Sequence, residues 1–227
     1  MDLALISLIA ASTAFVGTHF AMSHPLRAPM AGALGPGGFM GVYSLVSAAC
    51  MVWMYFAFAA AGPGTPPLWP GFGDFAWMAA SFLTLLALVL FAGSLIGNPA
   101  LPAPGAEDAA RAEVSGVFKV TRHPMMWGFA LWGASHMIAA PTARTLIVAS
   151  AIIFLALVGA YMQDRKKRVL MGDAWAQWEV KTSYWPRWER ILQVGVFPLV
   201  GGTALWLALT YIHIPLGGWE AGIWRWF

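Results

Sequence analysis

Two histidines frame the stretch of this chain whose residue types are best suited to chemistry. Arg122 and His123 precede Pro124, and an apolar run then continues as far as His136. Proline is favoured in the first turn of a helix, so this pattern predicts a membrane helix with Arg122 and His123 at its lip and His136 inside it. Ionisable residues within a bilayer are costly and are functional candidates by default.

The spacing of these two histidines argues against a small ligand shared between them. Their separation corresponds to roughly 20 Å along a helix, and the two side chains project about 140° apart. Beneath His136, Gly128 and Gly133 lie beside Phe129 and Trp132. This pattern predicts a flat apolar slot that suits a macrocycle held by an imidazole. Close approach of another helix at the two glycines is the alternative interpretation.

Three more histidines lie at or near the ends of apolar segments. His19 comes one turn before the end of the first segment, His24 follows in the next loop, and His213 lies near the end of the last segment. A lone membrane histidine commonly serves only as a hydrogen-bonding partner between helices. His19 and His136 are the two that point most strongly to a ligand role, because both are expected inside the membrane.

The composition is that of a polytopic helical membrane protein. Hydrophobic residues make up 59% of the 227 residues and charged residues only 10%, which no ordinary soluble class matches. The single cysteine, Cys50, excludes a disulfide framework and a cysteine metal cluster. The basic residues flank apolar segments without forming a large patch, so a nucleic-acid partner has no support. The lipid bilayer is the expected partner.

Six apolar segments are long enough to be membrane spans, and they predict one all-α membrane bundle, a single domain over residues 1–227. They cover residues 3–22, 38–61, 75–97, 124–140, 142–162 and 193–214. All 13 Lys and Arg residues except Arg144 and Arg225 fall in the loops after the first, third and fifth spans. By the positive-inside rule those loops are cytoplasmic and both termini lie on the opposite side.

The longest loop, residues 163–192, is expected to be amphipathic and to rest on the cytoplasmic membrane surface. It opens with the charged run Asp164–Arg168, which predicts a solvated helix extension facing lipid headgroups. Its four tryptophans are expected to anchor it at the interface rather than to form a separate soluble domain. These are Trp175, Trp178, Trp185 and Trp188.

Two signatures lie in order along the chain. HFAMSHPLR runs from His19 to Arg27, and RHPMMWGFALWGASH runs from Arg122 to His136. Both resemble signatures of the NnrU family, whose plant relatives are the 15-cis-zeta-carotene isomerases. The resemblance implies a haem b with axial ligands at His19 and His136. His123 is the alternative to His136, because it lies at the same interface as His19.

The two arginines at the cytoplasmic lip complete the expected haem site. A guanidinium pairs with a carboxylate through two parallel bonds, so Arg27 and Arg122 are candidates for binding the haem propionates. Anchoring to lipid headgroups is the alternative role of such arginines. No protein partner is predicted.

The resemblance implies more than one function. The first is haem-dependent cis-trans isomerisation of a lipophilic polyene, and the second is a role in nitric oxide or denitrification metabolism in the bacterial inner membrane, with periplasmic termini. A non-enzymatic haem or gas sensor, or an assembly factor for respiratory enzymes, is also open.

A different class of enzyme is the main alternative. Arg122-His-Pro, Asp164 and the later Gly172, Trp175 and Trp178 resemble the S-adenosylmethionine-dependent membrane methyltransferases that act on isoprenylcysteine or phospholipids. An absorption spectrum of the purified protein discriminates between the two classes, because only a haem protein shows a Soret band.

Overall fold

The computed structural model describes residues 2–62 and 67–227, and within these ranges the chain is helical with no strand. The α-helices are α1 (Leu3–Ser23), α2 (Arg27–Ala60), α3 (Asp74–Gly93), α4 (Ala106–Arg111), α5 (Pro124–Ala139), α6 (Ala143–Met171), α7 (Asp173–Lys181) and α8 (Val196–Gly217). Short 3₁₀ helices cover Gly116–Lys119, Trp188–Gln193 and Gly222–Trp226. The predicted all-helical membrane fold is thus confirmed.

Five helices of the described chain are long and apolar enough to cross a bilayer: α1, α2, α3, α6 and α8. The sequence predicts about six, and the difference is the predicted span 124–140. That segment forms α5, which has 16 residues and a length of about 24 Å at 1.5 Å per residue. This is shorter than the roughly 30 Å hydrocarbon core of a bilayer. The protein is an integral membrane protein in which α5 is a short member of the bundle.

The long helices pack in a row. Each contacts the next in the order α2, α1, α6, α5, α3, α8. Because consecutive long helices alternate in direction, α1, α3 and α6 end where α2, α5 and α8 begin. We call this the basic end, because Arg27, Arg122 and Arg168 lie there. We call the opposite end, where α2, α5 and α8 finish, the far end.

Proline and glycine determine where two of these helices begin and bend. Pro124 occupies the first turn of α5, as its missing N–H and fixed φ favour. In α2, Gly35 has φ 69° immediately before Pro36, a conformation that only glycine adopts without strain. The kink separates a short stretch after Arg27 from the part of α2 that corresponds to the predicted span 38–61.

The predicted amphipathic loop 163–192 is more ordered than expected. Its first residues continue α6 to Met171, so the predicted helix extension is present. However, Asp164 and Lys167 are buried rather than solvated. Trp175 and Trp178 are also buried, in a small core with Phe118 and other apolar side chains, whereas Trp185 and Trp188 are exposed. Trp175 and Trp178 therefore help to form a small packed core at the basic end, which we call the cap, and they do not anchor the loop in the membrane.

Candidate functional site

A buried polar cluster lies at the basic end, between the start of α5 and α6. Arg122 donates to Asp164 through Nε and Nη2, at 3.0 and 2.6 Å from Oδ2. His123 Nε2 lies 2.8 Å from the other carboxylate oxygen, Oδ1. The Asp164 side chain is only 3% exposed. A buried carboxylate is stable only when it is paired and hydrogen-bonded, and these two neighbours meet that requirement.

The backbone before α5 is fastened to the segment that follows α7. Arg122 N donates to Ser183 O at 2.8 Å, and Arg187 N donates to Val120 O at 2.8 Å. The Thr121 hydroxyl donates to Tyr184 O at 2.8 Å. These bonds hold Arg122 and His123 at a fixed position over α6. The segment after α7 therefore positions the cluster as much as the helices do.

Two further residues adjoin the cluster. Glu179 on α7 bridges Arg122 at 3.5 Å and Arg168 at 2.6 Å. The Tyr184 hydroxyl donates to Leu157 O at 2.7 Å. Burial and the nearby Asp164 carboxylate raise the pKa of the Tyr184 phenol, while Arg122 lowers it. The phenol stays protonated at neutral pH and acts as a donor.

Asp164 thus forms hydrogen bonds with both Arg122 and His123. The Arg122 guanidinium was expected to bind a haem propionate, but its fork already pairs with a carboxylate of the chain. His123 Nε2 is held by Asp164, and no hydrogen-bond partner of its buried Nδ1 is found among the described residues. A small cavity lined by His123, Asn98 and Gln163 adjoins it. This end has the geometry of a charge-balanced structural cluster.

The far end carries a second arrangement of histidines. His136 lies in the last turn of α5, and its ring centroid is 6.5 Å from that of His213 on α8. His136 Nδ1 bonds Trp132 O at 2.8 Å, and His213 Nδ1 bonds Leu209 O at 2.7 Å. A carbonyl can only accept, so each Nδ1 donates, and in the neutral form of such a ring Nε2 is the nitrogen that carries the lone pair.

His19 is not brought near His136. It lies towards the basic end of α1, where Nδ1 bonds Phe15 O at 2.7 Å and Nε2 is 3.4 Å from Ser47 Oγ. Its ring also packs on Tyr43 of α2. Helix α6 lies between α1 and α5, and His136 is at the other end of the bundle. The two expected axial ligands therefore lie far apart, because α1 and α5 run to opposite ends.

Gly128 and Gly133 lie at helix contacts. A Cβ at Gly128 would lie 2.9 Å from Ala87 O of α3, and one at Gly133 would lie 2.8 Å from the Ile153 side chain of α6. Close packing, the alternative interpretation, accounts for both residues without a cofactor. Their contact with a haem stays a prediction.

Arg27 lies at the basic end, as expected, with its guanidinium 5.7 Å from the Phe39 ring. Sequence reasoning did not predict the ion pairs of Glu179 or the approach of His213 to His136. Glu179 carries no local signal, since only the packing of α7 brings it to Arg122. His213 does carry one, because the fourth and sixth predicted spans must end on the same side of the membrane.

One of the comparisons with known proteins, the match to a family model, agrees with the two signatures. No curated protein and no solved structure matches the chain. The family model described as NnrU protein matches residues 7–221, a range that includes both ends of the bundle and all five histidines. This chain belongs to the NnrU family.

Proposed function

We propose that the protein binds a haem b within the membrane, with His136 as an axial ligand. One observation supports this most directly. The Nδ1–H of His136 bonds a carbonyl of its own helix, and no hydrogen bond to its Nε2 is found among the described residues. An imidazole that is oriented through one nitrogen and bare at the other is the usual form of a metal ligand.

The donor set favours haem over a bare metal ion. In the described part of the chain no group of three or more His, Cys, Asp and Glu residues could hold an ion. A protein-bound zinc ion requires three or four such ligands. Haem iron already has four ring nitrogens and needs only one or two imidazoles from the protein. Isolated intramembrane histidines therefore suit haem.

The proposed reaction is cis-trans isomerisation of a lipophilic polyene, as in the plant relatives of the family. Haem bound here would supply an iron centre that assists rotation about a substrate double bond. The chain supplies an apolar groove of about 330 Å³ between α5 and α6, lined by Met137 of α5 and by Phe154, Leu157 and Val158 of α6. An extended hydrocarbon entering from the bilayer fits such a surface, which has few polar atoms.

The proposed location is the bacterial inner membrane, with the basic end in the cytoplasm and the termini in the periplasm. The distribution of Lys and Arg supports this orientation. A role in nitric oxide metabolism would use the same haem, because nitric oxide is an iron ligand. It differs from isomerisation in substrate and not in the site.

The test is the absorption spectrum of protein produced with added haem precursor and purified in detergent. We expect a Soret band and a b-type pyridine haemochrome from the wild type. His136→Ala should lose the haem or change its spin state. His24→Ala is the matched control, because this loop histidine should leave the spectrum unchanged. A colourless wild-type protein, or an unaltered His136→Ala spectrum, would contradict the proposal.

The methyltransferase alternative has one observation in its favour. The residues that carry that resemblance do converge, with Arg122 and Asp164 in direct contact and Trp175 packed near His123. Their charges already balance one another, so a methyl donor would have to displace that pairing. Binding of S-adenosylmethionine to haem-free protein, measured by calorimetry, would support this alternative.

A further inference from the structure

We infer that His213 on α8, and not His19 on α1, is the second axial ligand of this haem, which then lies at the far end of the bundle. The inference rests on the proposed haem binding and specifies its site. The observation behind it is the approach of the two rings, whose centroids are 6.5 Å apart with an angle of 36° between their planes.

Depth in the membrane favours this pair. Two residues that hold one iron must lie at nearly equal depth with their rings close together. His136 is in the last turn of α5, and His213 is in the last turns of α8, which ends at Gly217. Both helices start at the basic end, and both pack against α3. His19 lies towards the basic end of a helix that ends there.

The donor atoms also favour this pair. The Nδ1 atoms of His136 and His213 are both bonded to carbonyls of their own helices, four residues back. Both rings thus have Nε2 left for coordination to a metal. The Nε2 of His19 instead faces Ser47, and its ring is enclosed by Phe15 and Tyr43.

The exposure of His213 gives a physical reason for a ligand. Its side chain lies on the surface of α8 among exposed apolar residues such as Leu209 and Ile212, where lipid would surround it. A ring nitrogen without a partner in hydrocarbon is costly. Coordination of Nε2 to iron would remove that cost.

The experiment compares haem-loaded variants in detergent by absorption and electron paramagnetic resonance. We expect wild type to be six-coordinate and low-spin. His213→Ala should become high-spin, and added imidazole should restore the low-spin spectrum, which shows that the variant is folded and has lost a ligand. His213→Met should raise the reduction potential, since a thioether ligand favours ferrous iron.

His19→Ala is the matched control, and it should keep the wild-type low-spin spectrum. The reverse result, a high-spin His19→Ala beside a low-spin His213→Ala, overturns the assignment of His213 while leaving haem binding intact. Low-spin spectra from both variants overturn it as well. A wild-type protein that takes up no haem contradicts the proposed function itself, and the inference with it.

Discussion

The two ends of the bundle hold their histidines differently. At the basic end, His123 Nε2 and Arg122 share the carboxylate of Asp164. At the far end, Nδ1 of His136 and Nδ1 of His213 each bond a carbonyl of their own helix, and no hydrogen bond to either Nε2 is found among the described residues. His123 Nδ1 also lacks a partner among those residues, but the other nitrogen of that ring is fixed by a buried carboxylate within a packed cluster. The far end instead brings two rings within 6.5 Å of each other, and we therefore propose the cofactor there.

The first prediction concerns which side of the membrane each end faces, and its expected effect is all or none. Gln177 on α7 and Glu220 after α8 are both exposed. In a Cys50→Ala background, an impermeant thiol reagent applied to intact cells with a permeabilised outer membrane should label Glu220→Cys and spare Gln177→Cys. Disruption of the inner membrane should expose both. Labelling of Gln177→Cys alone before disruption would reverse the orientation.

The second prediction separates structure from cofactor at the basic end. Asp164→Asn removes the charge that pairs with Arg122, and loss of one partner of a buried ion pair costs about 3–5 kcal/mol. We expect a large fall in the thermal unfolding temperature in detergent. The spectrum of any bound haem should not change, because the haem is proposed at the other end.

The matched control for this variant is Glu107→Gln. Glu107 pairs with Arg111 at 3.8 Å on the exposed surface of α4, and exposed pairs contribute little to stability. The unfolding temperature should barely move. An Asp164→Asn variant as stable as Glu107→Gln would show that the cluster is not structural.

The third prediction concerns the glycines at helix contacts. A Cβ at Gly202 of α8 would lie 2.5 Å from Val89 Cα of α3, whereas one at the adjacent Gly201 would meet no atom within 4 Å. Overpacking against backbone typically costs about 1–3 kcal/mol. Gly202→Ala should therefore lower the unfolding temperature, and Gly201→Ala should not. Equal effects of the two substitutions would contradict the tight contact of α8 with α3.

The fourth prediction has the smallest expected effect and tests the position of the haem. Arg27 lies at the basic end, so Arg27→Ala should retain as much haem as the wild type after detergent washing. His136→Ala, treated in the same way, should lose it. If Arg27→Ala loses haem, the propionates lie at the basic end, as the placement of Arg27 and Arg122 in the sequence predicts.

The comparison of sequence and structure is clearest at α5. Its start at Pro124 and its apolar character follow from local preferences and were predictable. The predicted end at residue 140 lies one residue beyond the observed end at Ala139, so the position of His136 about one turn before the end of the helix was predictable as well. The side chain that lies next to His136 was not predictable, because it comes from a different helix.

The charged residues of the long loop teach a similar lesson. The pattern at Asp164–Arg168 predicts a solvated helix extension. The helix is confirmed, but Asp164 and Lys167 are buried rather than solvated. Lys167 Nζ donates to Pro99 O at 2.8 Å, and Asp164 meets Arg122. Both partners are distant in sequence. Burial of a charge depends on a partner that the local pattern does not contain.

The amino-acid sequence by itself determined the helical membrane class, the basic end and the family, because hydropathy, charge placement and short signatures are properties of neighbouring residues. Tertiary structure alone decided which helices touch. It placed His213 beside His136, enclosed His19 against α2, and gave Asp164 its partners. Residues at equal depth on different helices can be in contact or far apart. How the helices pack decides which of these occurs.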